Sequence, residues 1–520
     1  MTLVYRLIEV LAICAVTYVS WRVLRNIILK SPLDNIPGPS ATSFWKGNYG
    51  ELFHRHTGWD LHAKVGQNYN SVVKLHGLFG DKVLYVFDPK ALQSVIVKDQ
   101  YVYEEAPSVI SLRMLVFGPG LLSTLGDWHR KQRKLLNPVF SINHMRHMTP
   151  IFYRVTHSLR DAITAQVKGG PVEVDILSWM GRTALELIGQ GGLGYSFDDL
   201  VSNTPDEFGE SIKALVPTIF SVSTLRQFLP FGMKFGTPDI WRRILEYTPL
   251  QSVQKLKYIT DTMHQRSKDI FYAKKAALEA GEDAVLQQVG EGKDIMSILL
   301  KANMTASADD RLPESELIGQ MSTLVFAAMD TTSNALSHII HLLAEHQDAQ
   351  EKVRAEIIEA SDGQDIPYDQ LVELPYLDAV CRETLRLYPP VTTVFRRSQR
   401  DGRHGGILES NRNKAIWGED ALEWKPERWL SPLPGTIAEA RIPGVYSNLM
   451  TFIGGGRSCI GFKFSQLEMK VVLTILLGSF KFSLPKQEIV WNLAGVKYPT
   501  VGRASTKPSM PIVVERIRKE

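Results

Sequence analysis

The stretch Phe452-Ile453-Gly454-Gly455-Gly456-Arg457-Ser458-Cys459-Ile460-Gly461 decides the fold, because it sets one cysteine among glycines and beside an arginine. The residues that follow, from Phe462 to Leu476, are apolar at helical spacing. Cys459 is therefore expected at a helix N-terminus, where the helix dipole favours a thiolate. The glycines leave room around the sulfur and permit positive φ. This arrangement predicts a thiolate that is offered to a haem iron.

A glycine loop with a buried structural cysteine is the alternative interpretation, but here the pattern Phe-x-x-Gly-x-Arg-x-Cys-x-Gly is complete. The pattern resembles the haem-binding signature of the cytochrome P-450 family, the haem-thiolate monooxygenases. The resemblance implies that the cofactor is haem b, with Cys459 as the axial ligand of its iron. It also implies that Arg457 is a cation for a haem propionate and that Phe452 covers the sulfur.

Two further motifs are similar to those of the same family. Glu383 and Arg386 lie three residues apart in a helical pattern that ends at a Pro-Pro pair, so they share a helix face and can form an ion pair. Alone, such a pair is more often a solvated surface contact. The segment Lys425-Pro426-Glu427-Arg428-Trp429 resembles the family segment whose arginine completes a buried Glu-Arg-Arg triad. We therefore expect Glu383, Arg386 and Arg428 to form a structural core under the haem.

A long helical run from about residue 313 to residue 346 carries polar residues at its centre, over 330–334. A carboxylate and hydroxyls are costly to bury unless they are hydrogen-bonded, which favours a chemical role over a polar kink in a core helix. Hydroxyls that bond to the preceding turn are expected to open the helix locally. The run resembles the family's oxygen-binding helix, which makes Asp330 and Thr331 the catalytic pair that delivers protons for the activation of dioxygen.

A basic helical stretch from Gly126 to Phe140 resembles the family helix that binds the haem propionates and faces the reductase. Members of the family often have a tryptophan four residues before the arginine, and here His129 holds that spacing to Arg133. The resemblance assigns His129 and Arg133 to the propionates, together with Arg396 further along the chain. The nearby basic side chains, a solvated face in the alternative interpretation, would steer an acidic flavoprotein partner: Arg130, Lys131 and Lys134.

The composition is that of an ordinary globular protein. The chain has 520 residues, of which 44% are hydrophobic and 22% charged, and its formal charge of +4 is too small and too scattered to indicate nucleic-acid binding. Cys14, Cys381 and Cys459 are the only cysteines, which indicates a reducing compartment rather than a disulfide framework. We expect a mainly α fold with small β-sheets (α+β), the cytochrome P-450 fold, with a single haem-binding monooxygenase domain over residues 41–520.

The N-terminus predicts a membrane anchor helix. Residues 7–21 are apolar apart from Glu9, which Arg6 can neutralise on one helix face. The run is short against the roughly 20 residues that a bilayer span needs, but no small-residue cleavage site follows it. We therefore expect a transmembrane signal anchor over 1–30 and a proline-rich hinge over 31–40. Basic residues after the run predict a single-pass protein of the endoplasmic reticulum membrane with a cytosolic catalytic domain.

One interval departs from the family. After Asp401, family members run into paired strands with a Pro-x-Gly turn, whereas here the segment from Gly402 to Ser410 leads directly to Asn411. No period-two alternation remains in the segment, so we expect the strands there to be missing. A natural shortening and a gene model with a missed exon both explain this. Without the strands Arg396 would lose its place beside the haem, so an inactive variant is an alternative to the active enzyme.

The resemblance, including a likeness to fungal members, implies a microsomal haem-thiolate monooxygenase that inserts one oxygen atom from O2 into a lipophilic small molecule. Secondary-metabolite or terpenoid biosynthesis and xenobiotic metabolism both remain open. Electrons would come from NADPH through NADPH-cytochrome P-450 reductase, with cytochrome b5 as a second candidate donor. The alternative function is a haem-thiolate isomerase or dehydratase, which needs no reductase and no acid–alcohol pair such as Asp330 and Thr331.

Overall fold

The computed structural model describes residues 31–517, except 202–206, 227–228, 233–235, 237 and 398–401, together with scattered helical positions between Arg6 and Leu24. Helices dominate the described residues, and short strands form small sheets. The predicted mainly α fold with small β-sheets is therefore confirmed.

The α-helices follow one another along the chain, mostly joined by short turns. In order they are α1 Tyr49–Leu52, α2 Gly58–Asn68, α3 Pro89–Leu92, α4 Pro107–Phe117, α5 Gly126–Leu136, α6 Ile142–Gln166, α7 Ile176–Leu187, α8 Glu207–Lys213, α9 Leu215–Ser221, α10 Ser223–Arg226, α11 Leu229–Gly232, α12 Pro238–Glu246, α13 Gln251–Ala280, α14 Glu282–Leu286, α15 Ile295–Thr305, α16 Glu314–Glu345, α17 Gln347–Ser361, α18 Tyr368–Glu373, α19 Pro375–Leu387, α20 Ile407–Asn411, α21 Lys414–Trp417, α22 Gly435–Ala440 and α23 Phe462–Ser479.

The strands belong to three sheets among the described residues. They are β1 Val72–His76, β2 Lys82–Val86, β3 Val172–Asp175, β4 Thr393–Arg397, β5 Gly402–Gly406, β6 Phe480–Ser483, β7 Ile489–Asn492, β8 Tyr498–Val501 and β9 Pro511–Arg516. The first sheet has the order β1-β2-β5-β4, the second β3-β9-β6, and the third pairs β7 with β8. The sequence predicts a hairpin over Ser71–His76 and Lys82–Phe87, with its turn at Gly80-Asp81, and the structure confirms it as the antiparallel pair β1 and β2.

The shortened interval after Asp401 keeps a strand, so the prediction that none remains there is wrong. β5 pairs parallel with β2, through Val83 and Gly402, and antiparallel with β4, through Thr393 and Gly406. The segment lacks alternation because it is glycine-rich, and its pairing is set by backbone hydrogen bonds to two neighbours rather than by side-chain burial. Since β5 lies between β2 and β4, the sheet is continuous and Arg396 has a defined place on β4.

Helix α16 runs through the centre of the core, and its predicted extent is confirmed. It contacts α7 along one side, α23 along another and α4 near its N-terminal half. At that last contact a Cβ on Gly120 would lie 2.5 Å from the carbonyl oxygen of Gly319, so only glycine permits this approach. Nearby, the rings of Phe117 and Phe326 lie 4.7 Å apart. The predicted local opening of α16 is wrong, because the helix is continuous.

The proline-rich segment at 31–40 lies against the first sheet. The Lys74 N–H donates to the Pro37 carbonyl at 3.0 Å, and Lys82 pairs with Asp34 at 2.6 Å. A Cβ on Gly38 would lie 1.8 Å from the Lys74 carbonyl oxygen, which makes glycine necessary there. These contacts fasten the segment to β1 and β2.

Much of the predicted anchor, including residues 1–5 and 25–30, lies outside the described residues. Among the residues that are described, no helix combines the length and the apolar character that a membrane crossing requires.

Candidate active site

Backbone hydrogen bonds close the loop that carries Cys459. The Cys459 N–H donates to the carbonyl of Phe452 at 2.9 Å, and the Ser458 N–H donates to that of Gly455 at 3.1 Å. Helix α23 begins at Phe462, directly after the motif. The loop therefore presents the sulfur just before a helix N-terminus.

Two of the loop glycines, Gly454 and Gly455, make room for neighbouring backbone rather than for the sulfur, which corrects part of the sequence prediction. A Cβ at Gly454 would lie 2.0 Å from the carbonyl oxygen of Pro443. A Cβ at Gly455, whose φ is 68°, would lie 2.2 Å from the carbonyl oxygen of Ile96. Ile453 adopts a φ of 39°, which is rare for a β-branched residue. Such strain persists where surrounding contacts hold it, and it is common at functional sites.

Cys459 lies inside the protein and still has accessible surface. Its side chain is exposed, yet burial raises the pKa of its thiol, while the N–H of Gly461 and the charge of Arg133 act in the opposite direction. Both observations hold because the sulfur borders an internal space enclosed by protein. A thiol in such a place is deprotonated when it coordinates a metal ion.

A cavity of about 350 Å³ brings the four predicted propionate partners together. His129 and Arg133 reach it from α5, Arg396 from β4 and Arg457 from the cysteine loop. These residues span more than 300 positions of the sequence. The continuous first sheet, in which β5 joins β4 to β2, brings Arg396 beside the others.

Hydrogen bonds to the main chain hold two of these arginines in place. Arg457 donates to the carbonyls of Leu121 at 3.2 Å and Thr124 at 2.6 Å. Arg133 donates to the carbonyl and, at 3.0 Å, to the hydroxyl of Ser458, the residue before the cysteine. The cationic groups and the sulfur are therefore fixed relative to one another.

The protonation states in the cavity follow from burial. Burial lowers the pKa of Arg457 to about 10, so its guanidinium stays charged at neutral pH. Burial and the charges of Arg457 and Arg133 lower the pKa of His129 to about 3, so its imidazole is neutral. His129 is thus a hydrogen-bond donor rather than a cation.

Glu105 is a cavity residue that the sequence prediction missed. Burial alone would raise the pKa of its carboxyl, but Arg113, Arg396 and Arg457 together lower it. Glu105 pairs directly with Arg113 and lies 3.9 Å from Nη1 of Arg396. No spacing rule marks it, since Arg396 and Arg457 come from distant segments and Arg113, on the following helix α4, does not lie at a helical spacing from it. Its negative charge offsets part of the cationic cluster.

The structure brings Glu383, Arg386 and Arg428 together in a buried network. Arg386 Nε and Nη2 each donate to the Glu383 carboxylate at 2.8 Å, and Arg428 Nε reaches it at 3.4 Å. The carboxylate also accepts from the Lys425 N–H at 3.1 Å and from Nε1 of Trp429 at 3.0 Å. Every lone-pair direction of the carboxylate is therefore used, as a buried charge requires.

Asp330 and Thr331 lie at the centre of α16. Burial raises the pKa of Asp330 to about 7, and the charge of Lys213 on α8 opposes that rise. The Thr331 hydroxyl donates to the Ala327 carbonyl at 2.9 Å, and Ala327 is exposed although most of the helix is buried. Helix α16 is tied to α23 one residue further on, where the hydroxyls of Thr332 and Ser465 lie 3.1 Å apart. An ionisable acid and an alcohol therefore stand beside a small residue that faces internal space.

These residues fit a haem. The Cys459 sulfur is free to act as a ligand, the cationic cavity suits two carboxylates, and the exposed surface at Ala327 leaves room for a flat group. A mainly helical fold with this set of groups defines a haem-thiolate protein.

The chain belongs to the cytochrome P450 family, whose family model, Cytochrome P450, matches residues 37–496. It is 58% identical to Cytochrome P450 monooxygenase 91 of Postia placenta, over 97% of this chain and 98% of that protein. It is 47% identical to the ganoderic acid synthetase CYP5150L8 of Ganoderma lucidum, over 97% of this chain and 98% of that one. The predicted likeness to fungal members is confirmed.

A crystal structure of a cytochrome P450 (CYP102L1) superposes with a TM-score of 0.70 at 21% identity, covering 93% of this chain and all of that one. That likeness shows the fold. The family model and the curated relatives show that the protein is an oxidoreductase of the cytochrome P450 monooxygenases, which use O2, haem and electrons from a redox partner.

The alignments bear on the shortened interval. The one with Cytochrome P450 monooxygenase 91 spans 533 residues, more than the 520 of this chain, although only 97% of the chain takes part. The alignment therefore opens gaps in this chain. Gaps of this kind accord with a segment that is shorter here than in its relatives.

Proposed function

We propose that the protein inserts one oxygen atom from O2 into a lipophilic small molecule of fungal secondary metabolism, with a terpenoid as the favoured class. The observation that carries the proposal is the half-buried acid–alcohol pair Asp330 and Thr331, since proton delivery is needed only when O2 is activated. A relative at 47% identity bears the name of a ganoderic acid synthetase, which supports a biosynthetic role over detoxification. Strand β5 pairs with both β2 and β4, so the first sheet is continuous and keeps Arg396 in place, which argues against an inactive variant.

Haem, when bound, supplies the reactive iron that activates O2, and a thiolate ligand favours cleavage of the O–O bond. In this proposal Cys459 would hold the haem iron through its thiolate sulfur, and the N–H of Gly461 would stabilise the charge of that sulfur. Phe452 accepts the Cys459 N–H through its carbonyl and contributes its half-buried ring to the apolar side of the loop. Arg133, Arg396 and Arg457 hold the propionates by charge, and neutral His129 adds a hydrogen bond.

Asp330 suits proton transfer because its pKa of about 7 lets it gain and lose a proton near neutral pH. The Thr331 hydroxyl donates to Ala327, and its oxygen keeps lone pairs that can accept a proton from the side of the substrate space. The two residues would move protons inward in sequence.

Thr331→Ala tests the proposed function. We expect normal haem binding, product formation reduced about 10- to 100-fold, and most NADPH equivalents released as hydrogen peroxide, because proton delivery is impaired. The measurements are NADPH consumption, peroxide and product in a reconstituted system with the reductase.

Thr332→Ala is the matched control, since its hydroxyl bonds Ser465 instead. Unchanged coupling in Thr331→Ala would contradict the role of Thr331. Product formed from a hydroperoxide without NADPH would favour the isomerase or dehydratase alternative.

The electron donor in this proposal is NADPH-cytochrome P-450 reductase, with cytochrome b5 as a second donor. The docking surface is the exposed side of α5. Among the described residues, Arg130 pairs with exposed Asp127 at 3.0 Å and donates to the hydroxyl of exposed Tyr101 at 2.6 Å, and Lys134 pairs with exposed Asp310 at 3.8 Å. Such exposed pairs are weak, so their cations stay available to an acidic partner.

The proposed location is the endoplasmic reticulum membrane, with residues 1–30 as anchor, 31–40 as hinge and 41–520 as the cytosolic catalytic domain. Exposed apolar residues support contact with a bilayer surface. On α12, Ile240 and Ile244 share one face and are 49% and 48% exposed. Trp45, next to the hinge, is 60% exposed. Residues 233–235, within the stretch 229–236 that precedes α12, lie outside the described residues.

We expect the full-length protein to stay in the membrane pellet after alkaline carbonate extraction, and added protease to digest it in intact microsomes. The double variant Ile13→Arg with Val16→Arg should be released, since each arginine at the centre of a span costs about 2.5–3.5 kcal/mol. Release of the wild-type protein by carbonate, or its protection from protease, would contradict the proposed topology.

A further inference from the structure

Arg226, on the short helix α10, is a half-buried cation whose charge no acidic side chain balances among the described residues. Its Nε is buried and has no hydrogen-bond partner. Burial lowers its pKa, and the charge of Arg113 lowers it further. The remaining influence comes from Tyr49, whose own pKa burial raises, so that its phenol is neutral. Within the part of the chain that the structure describes, this guanidinium has no counterion, which is costly for a partly buried charge.

Arg113 cannot share a counterion with it, because Arg113 is already paired with Glu105 on the side of the propionate cavity. Helix α10 contacts α4, which carries Arg113, and α4 in turn contacts α16 near Phe326. Arg226 therefore belongs to the shell of elements around the centre of α16.

Aromatic rings connect Arg226 with the same region. Tyr49, its electrostatic neighbour, has its ring 6.1 Å from that of Phe53. The Phe53 ring lies 6.1 Å from that of Phe220 on α9 and 5.8 Å from that of Phe395 on β4. Phe395 directly precedes Arg396, which lines the propionate cavity. We call Tyr49, Phe53, Phe220 and Phe395 the aromatic group.

We propose that the substrate is a lipophilic carboxylic acid whose carboxylate binds Arg226 while its apolar body lies along the aromatic group; this rests on the proposed function. One guanidinium balances one negative charge, and its planar fork matches the two oxygens of a carboxylate. The aromatic rings offer apolar surface to the remainder of the molecule. Because Arg226 holds the carboxylate end of the substrate, the distance of a carbon from that end determines whether it is oxidised.

The test compares acids with their methyl esters, which keep the apolar body and lose the charge. The probes are abietic acid with methyl abietate, and dodecanoic acid with methyl dodecanoate. Binding to the haem-containing protein is followed by the spin-state change of the haem and by calorimetry. We expect the acid of at least one pair to bind more tightly than its ester. Arg226→Gln should weaken binding of that acid about 10- to 100-fold and leave the ester unchanged.

Arg226→Lys should fall between wild type and Arg226→Gln, because it keeps the charge and loses the fork. Arg243→Gln, at an exposed position on α12, is the matched control and should change neither ligand. Equal binding of acid and ester by the wild type overturns the proposal, as does an equal loss of both in Arg226→Gln. Failure of both acids to bind a preparation with the red-shifted carbon monoxide band also overturns it. Absence of that band is instead a failure of the proposed function.

Discussion

Glu383→Ala is expected to destabilise the fold by about 3–5 kcal/mol and to give little haem-containing protein. The carboxylate is fully buried and accepts hydrogen bonds from Arg386, Arg428 and two further groups. Its removal leaves the buried Arg386 guanidinium without a counterion. The destabilisation extends to neighbouring segments, because Arg386 also donates to the carbonyls of Asn411 at 3.0 Å and Ala421 at 2.6 Å.

The measurements for Glu383→Ala are haem content per mole of protein and the midpoint of denaturant unfolding. Glu423→Ala is the matched control: the same truncation lies in the same segment, but the Glu423 side chain is exposed and only its carbonyl accepts from Arg386. Near-normal haem incorporation in Glu383→Ala would refute the structural role of the triad.

Features whose signal is local in the chain could be predicted from the sequence. The cysteine loop, the hairpin β1–β2 and the long helix α16 each follow from motif spacing or hydrophobic period. The pairing of Glu383 with Arg386 belongs to the same class, since a separation of three residues on a helix places both on one face.

Features that depend on distant partners could not be predicted. Strand β5 has no alternation, and it exists because β2 and β4 supply hydrogen bonds on both sides. Glu105 and Arg226 have no local signature, because their importance comes from charges on other segments. Ile453 is a local feature that the sequence also fails to predict. It has a positive φ, which a sequence rule would assign to one of the neighbouring glycines.

The Cys459 sulfur is the second position at which a large effect is expected. Cys459→Ser is expected to abolish the red-shifted band in the reduced carbon monoxide difference spectrum, because a serine oxygen does not replace a thiolate as electron donor to the iron. Serine differs from cysteine by one atom and keeps the N–H that bonds the Phe452 carbonyl, so the loop should keep its conformation. Loss of the band therefore reports the ligand and not a collapse of the site.

The other cysteines provide the matched controls. Cys381 is 1% exposed and burial raises its pKa to about 12, so it stays a thiol, and Cys381→Ala should keep the band. Cys14, near the N-terminus, should tolerate serine equally. A band that survived in Cys459→Ser would assign the iron ligand to another group, and the same spectrum of Cys381→Ala would show whether that group is Cys381.

Because Arg133 bonds the carbonyl and hydroxyl of Ser458, the cationic cavity is held to the loop through the backbone. Cys459→Ser should accordingly retain part of its haem, and this separates the contribution of the propionate partners from that of the thiolate.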